Sequence, residues 1–189
     1  MFSRIRAAFK ESFGEAAFSE EEAALQGIID GRIDKIQRFL ARGGDANAAV
    51  LLRGAGPSGS SIKPRPLVVW AATYHNSAAT ALLLDAGASA DSYDPNDGLS
   101  LLHSAAAAGD LALAERLLKD GAFPDGHNGH GAGSPLFMAA TRGNEAMVSM
   151  LLKAGANPNL KNWAGIAPLE AIGAMPNGEV CGTALRRRG

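Results

Sequence analysis

Residues 53–61, RGAGPSGSS, carry glycines and hydroxyls at a spacing that invites phosphate chemistry. From Gly54 onward the pattern is G-x-x-x-x-G-x-S. In such a loop successive backbone N–H groups cradle phosphate oxygens and a lysine meets the β and γ phosphates. Ser60 stands at the lysine position, and Pro64 and Pro66 follow closely. Those prolines oppose the helix that should start directly after a phosphate loop. A second polar stretch, DGHNGHGAG at 125–133, places Asp125, His127 and His130 within one loop as potential zinc ligands. The glycines between them impose no tetrahedral geometry, and no second ligand cluster lies nearby in sequence. Neither stretch specifies a site, so no cofactor, no metal and no catalytic residue are expected.

The elements that would position these residues are read from composition and then from periodicity. The 189 residues are 47% hydrophobic and 20% charged, with a formal net charge of −1. This suits one compact domain or a short repeat array, and it offers no field that would attract nucleic acid or an anionic membrane. The one cysteine, Cys181, allows no intrachain disulfide, so a reducing, cytoplasmic setting is expected. No apolar run approaches the roughly 20 residues that cross a bilayer. The start, MFSRIRAAFKESFGEAAF, lacks a continuous apolar segment and a small-residue cleavage site, so it does not read as a secretory signal. Instead Phe2, Ile5, Phe9 and Phe13 form one helical stripe. That pattern suits a helix packed over an open end of the fold, a membrane-surface helix, or a partner-binding segment.

Self-similarity is the strongest signal. Four segments share a frame: GIIDGRIDKIQRFLARGGDAN, AATYHNSAATALLLDAGASAD, AAAAGDLALAERLLKDGAFPD and AATRGNEAMVSMLLKAGANPN. Each carries small residues, then a turn residue (Gly31, His75, Gly109, Gly143), then a large apolar pair. The pairs are Phe39-Leu40, Leu83-Leu84, Leu117-Leu118 and Leu151-Leu152, followed by Gly43, Gly87, Gly121 and Gly155. The last three of these glycines are spaced 34 residues apart. Ser100 and Ser134 are placed to cap the first helix of a pair, and Met147, Met150 and Leu151 predict the buried stripe of a second helix. The glycine after each second helix is expected at positive φ.

These residues resemble the ankyrin repeat, whose period is about 33 residues and whose signature is T-P-L-H-x-A. SPLFMAATRGN at 134–144 and SLLHSAAAAGD at 100–110 are the nearest matches, while PLVVWAA and EAALQGI depart from it. The resemblance implies an all-α solenoid of stacked helix-turn-helix units joined by protruding hairpins. Five units are expected, at 20–47, 65–91, 99–125, 133–159 and 166–189, preceded by an amphipathic segment at 1–19. Arg186, Arg187 and Arg188 give the last of them a polar end. His103 falls at the signature histidine, implying structural hydrogen bonds between units, and His75 takes the place of a turn glycine. Gly43 to Gly87 spans 44 residues, ten more than the later spacing, with the surplus between Asn47 and Pro66. The opening stretch is therefore the tip of a lengthened hairpin at 48–64.

What the resemblance implies for function is protein binding, through hairpin tips and the exposed inner-helix face, which together form a concave surface. The frame maps the inner-helix positions to Thr73 and Tyr74, Ala107 and Ala108, and Thr141 and Arg142. The hairpin positions map to Tyr93, Asn96, Asp97, His130, Trp163 and Ala164. Leu51, Leu52, Arg53, Ile62 and Lys63 belong to the long hairpin. Tyr74, Arg142 and Trp163 are the residue types that most often dominate interface energy. Trp70 is expected in the core. The resulting expectation is a non-catalytic, monomeric module that binds another protein, with an inhibitor or immunity-type role favoured by the single long finger. Its alanine- and arginine-rich style suggests a bacterial source. Two rivals stand beside it: a nucleotide-binding or enzymatic protein using residues 54–61, and a membrane-surface scaffold using residues 2–18.

Overall fold

The computed structural model describes residues 19–51, 62–127 and 133–173. The chain forms two compact parts, Met1–Ala88 and Ser89–Gly189. In the N-terminal part, α1 (Glu20–Asp30) starts at a capping box. The Glu22 N–H donates to Ser19 Oγ at 3.2 Å and the Ser19 N–H to Glu22 Oε2 at 3.1 Å. Glu20, Glu21 and Glu22 place negative charge against the positive helix end. α2 (Ile33–Ala41) folds back against α1. That close approach depends on Gly27, where a Cβ would lie 2.8 Å from Lys35 Cβ and 2.9 Å from the Arg32 carbonyl oxygen.

A short antiparallel pair follows, β1 (Ala49–Val50) with β2 (Arg65–Pro66), in the register Ala49 to Pro66 and Val50 to Arg65. It closes the base of the segment that the sequence reads as a lengthened hairpin. α3 (Leu67–Thr73) and α4 (Ser77–Asp85) form the next helix pair, with His75 between them in the left-handed region at φ 53°. α1 packs on α3 and α2 on α4. The Asn76 side chain caps α4 by accepting from the Ala79 N–H at 3.0 Å, and its amide donates to the Ile28 carbonyl of α1 at 3.2 Å. Leu25, Ile28, Ile36, Leu67 and Leu83 are fully buried here, each contributing roughly 1.5–3 kcal/mol relative to exposure.

The C-terminal part repeats the arrangement. α5 (Leu101–Ala108) pairs with α6 (Leu111–Lys119), and α7 (Pro135–Thr141) with α8 (Glu145–Lys153). α5 packs on α7, α6 on α8, and α9 (Pro168–Gly173) on α7. Ser100, Asp110, Ser134 and Asn144 each accept a first-turn N–H, and Pro135 starts α7 where no N–H is needed. Ala105, Ala106, Ala139 and Ala140 are all buried, their small side chains letting α5 and α7 approach closely. The glycines after the second helices, Gly43, Gly87, Gly121 and Gly155, all take positive φ. On α8 the buried face comprises Met147, Val148, Leu151 and Leu152, while Met150 is only half-buried. The stripe is thus centred slightly further round the helix than the i, i+3, i+4 spacing predicts. Successive hairpins are laced by their carboxylates: the Phe123 N–H donates to Asp91 at 3.3 Å and the Asn157 N–H to Asp125 at 2.8 Å. The expected segments at 1–18 and 174–189 lie outside the described residues.

Candidate functional site

In the N-terminal part the base of the long hairpin is fastened to α3. The Leu67 N–H donates to the Ala48 carbonyl at 2.9 Å, extending the two-residue ladder. Trp70, one turn into α3, donates its indole N–H to the Val50 carbonyl at 3.2 Å. The Arg65 guanidinium stands 4.3 Å from the centre of the Trp70 ring, and the Tyr74 ring stacks with Trp70 at 6.0 Å and 22°. Trp70 is half-buried rather than a core residue, which differs from the sequence expectation. The physical reason is its N–H: a buried indole needs an acceptor, and the strand carbonyl at the hairpin base supplies it. Tyr74 is also half-buried, and this burial raises its hydroxyl pKa, with the nearby Arg65 charge opposing.

Leu51 is 40% exposed at the mouth of the hairpin, Ile62 is half-buried and Lys63 is exposed. Leu52 and Arg53 lie outside the described residues, as does the glycine-rich stretch that follows them. Replacing Trp70 with phenylalanine removes one hydrogen bond and should cost about 1 kcal/mol. Alanine also removes the ring contacts and should cost about 2 kcal/mol. Hydrogen exchange of residues 49–51 and 62–66 should accelerate in both variants while that of α5–α8 stays constant. Unchanged exchange at 49–51 would show that the indole does not hold the strand pair.

The C-terminal part presents aromatic side chains on its hairpins. Tyr93 is 41% exposed, Phe123 61% and Trp163 81%, with Ile166 beside the last of these in sequence. The Tyr93 and His127 rings lie 4.4 Å apart at 40°, and Phe123 meets His127 edge-on at 6.1 Å. His127 Nε2 is 2.8 Å from Asp91 Oδ2 and 3.1 Å from the Asp91 carbonyl, which orients the imidazole between the two aromatic rings. Asp125 is engaged with the Asn157 backbone, so Asp125 and His127 hold different partners and do not converge. His130 lies outside the described residues. Among the described residues, no three His, Cys, Asp or Glu side chains are grouped to hold a metal ion.

Asp97 is exposed and accepts the Leu99 N–H at 2.9 Å, which shapes its own turn. Arg142 is exposed at the end of α7, its Nη1 3.5 Å from the Met138 carbonyl. Phe123 is absent from the residues singled out in the sequence. A signal for it exists: two residues after Gly87, Gly121 and Gly155 stand Ser89, Phe123 and Asn157, so a large apolar residue occupies an otherwise polar column.

His103 sits at the start of α5 with structural bonds on both ring nitrogens. Nδ1 lies 3.0 Å from the Ser100 N–H and 2.8 Å from Ser100 Oγ, while Nε2 is 3.0 Å from the Gly133 carbonyl. The Ser100 N–H can only donate, so Nδ1 accepts and Nε2 carries the proton. Burial lowers the His103 pKa, partly offset by the Gly133 carbonyl and reinforced slightly by His127.

Antiparallel helix pairs that pack first helix on first and second on second, with hairpins laced 32 residues apart, define an all-α repeat protein. Residues 67–162 match the family described as ankyrin repeats (3 copies), so the chain belongs to the ankyrin-repeat family. No curated protein matches the chain. Ankyrin repeats are protein–protein interaction modules, generally without enzymatic activity. No described helix is long and apolar enough to cross a membrane.

Proposed function

We propose that this ankyrin-repeat chain is an inhibitor or immunity-type binder that occludes a partner protein with its hairpins, acting as a monomer in a reducing, cytoplasmic setting. The carrying observation is the exposure of Phe123 and Trp163, at 61% and 81%, on hairpins laced to their neighbours by the Asp91 and Asp125 carboxylates. Aromatic side chains held out on a rigid scaffold are the residue types that dominate interface energy. Tyr93 and Asp97 lie on the same run of hairpin, and Arg142 projects from the end of an inner helix. In the N-terminal part, Leu51, Ile62, Lys63 and Tyr74 join the proposed contact set, as do Leu52, Arg53 and His130, which lie outside the described residues.

The direct test is capture of the partner by the full chain, followed by titration of variants. Deleting residues 53–61 should leave the helical signal and cooperative melting intact, while weakening affinity at least roughly tenfold, about 1.4 kcal/mol. Trp163→Ala and Phe123→Ala should each weaken binding by about 1–3 kcal/mol with little change in Tm, because both side chains are exposed. Full affinity in the deletion would remove the finger from the interface. A partner that keeps its activity at stoichiometric occupancy would mark the chain as an adaptor instead of an inhibitor.

A further inference from the structure

Three rings meet on the hairpins of the C-terminal part, and one carboxylate fixes two of them. Asp91 Oδ2 holds His127 Nε2 at 2.8 Å, and Asp91 Oδ1 accepts the Phe123 N–H at 3.3 Å. Tyr93 lies against His127 at 4.4 Å, on a hairpin bridged from Tyr93 to Ser100, and Phe123 stands at 76° to the imidazole. Tyr93 and Phe123 nevertheless keep 41% and 61% of their surface open to solvent. The charge around these rings has one sign. Asp91, Asp97 and Asp125 stand on the same hairpins, Asp97 exposed at the turn, and no lysine or arginine occurs in 89–115 or 120–141. The intervening cations, Arg116 and Lys119, lie in the last turn of α6, where Arg116 pairs with Asp120. The whole chain has a formal net charge of only −1, so this asymmetry is local.

Resting on the protein-binding reading above, we propose that the Tyr93–His127–Phe123 cluster seats an arginine side chain of the partner protein, its guanidinium against the rings and the hairpin carboxylates around it. Aromatic faces attract a cation through their quadrupole, and a negative, cation-free surround strengthens that attraction. The rings are already held by Asp91, so little side-chain freedom is lost when they are covered. Arginine fits better than lysine. Its guanidinium is planar and weakly hydrated, so it stacks on a ring while its edge donors reach carboxylates such as Asp97. The chain makes the same kind of contact within itself, where the Arg65 guanidinium lies 4.3 Å from the centre of the Trp70 ring. An acidic partner segment would be repelled by Asp91, Asp97 and Asp125, and a neutral one would leave that charge unused.

The test is an NMR titration of the full chain with the blocked peptide acetyl-Gly-Arg-Gly-amide. Its citrulline counterpart, which keeps the shape and loses the charge, is the control. The ring resonances of Tyr93, Phe123 and His127 should move in proportion to the arginine peptide, with a slope at least roughly threefold that of the citrulline peptide. Phe123→Ala and Asp97→Asn should each reduce the slope roughly two- to fivefold at the remaining rings, while the resonances of buried Leu101 and Leu136 stay in place as proof of folding. Rings that do not move, or that move equally with citrulline, overturn the proposal. With the captured partner, affinity should fall on adding salt and in Asp97→Asn. Capture indifferent to both overturns the arginine seat and leaves the inhibitor reading standing. Capture that depends on both, by a partner that keeps its activity when bound, supports the seat and removes the inhibitor reading instead.

Discussion

Replacing His103 with alanine is expected to lower the free energy of unfolding by about 3 kcal/mol, as measured by urea titration. The imidazole is 4% exposed and bridges the start of α5 to the loop that leads into α7. Alanine would leave the Ser100 N–H and the Gly133 carbonyl without their partner, and each unsatisfied buried group costs about 1–3 kcal/mol. The same geometry sets a pH dependence. Protonating His103 would put a second donor at Nδ1, facing the Ser100 N–H that already donates there. The folded state therefore holds the neutral ring, and burial keeps its pKa below the ordinary 6.5. A depressed pKa means that the unfolded chain binds the proton first. The contribution is thus fully present above about pH 6.5 and is lost as pH falls through the folded-state pKa, with a slope no steeper than about 1.4 kcal/mol per pH unit. His103→Ala should lose this acid-side slope. A slope retained in that variant would assign it to another group.

Gly126→Ala is expected to be as damaging, at about 3–4 kcal/mol, although it adds only a methyl group. Gly126 takes φ +67°, where an L-residue costs about 1–2 kcal/mol. A Cβ there would lie 2.3 Å from His103 Cε1 and 2.9 Å from Nδ1, so the ring must leave its place and release its bonds. The two effects share one ring and cannot be additive. The double variant with His103→Ala removes the obstacle, and its cost should fall short of the sum of the singles by at least about 1 kcal/mol. Strict additivity would show that the histidine moves aside without loss, and that Gly126 is required only for its backbone conformation.

How much of this was legible beforehand follows from which constraints are local. Ser100 and Ser134 as caps, the alanine pairs and the positive-φ glycines are requirements that a short stretch imposes on itself, so they recur in sequence wherever the structure needs them. The repeat frame follows from the 34-residue spacing, and His103 from its place in SLLHSA. Trp70 was misplaced because its depth depends on a carbonyl twenty residues earlier, brought to it only when β1 pairs with β2. Asp125 and His127 are two residues apart, a spacing that leaves open where each side chain goes. They separate because their hairpin is laced to one neighbour through each of them, Asp125 to Asn157 and His127 to Asp91.

The sequence alone therefore determined the helix pairs, their caps and the all-α ankyrin frame, since periodic burial and turn chemistry are written residue by residue. Tertiary structure alone decided which polar groups are consumed by packing and which aromatic rings remain outside. Phe123 is a large apolar residue whose type alone would place it inside, whereas the repeat frame already assigned Trp163 to a hairpin. Phe123 is placed by the bond from its N–H to the Asp91 carboxylate of the preceding hairpin, and Trp163 lies in a turn where Asn162 accepts the Ala164 and Ile166 N–H groups, and both rings remain exposed.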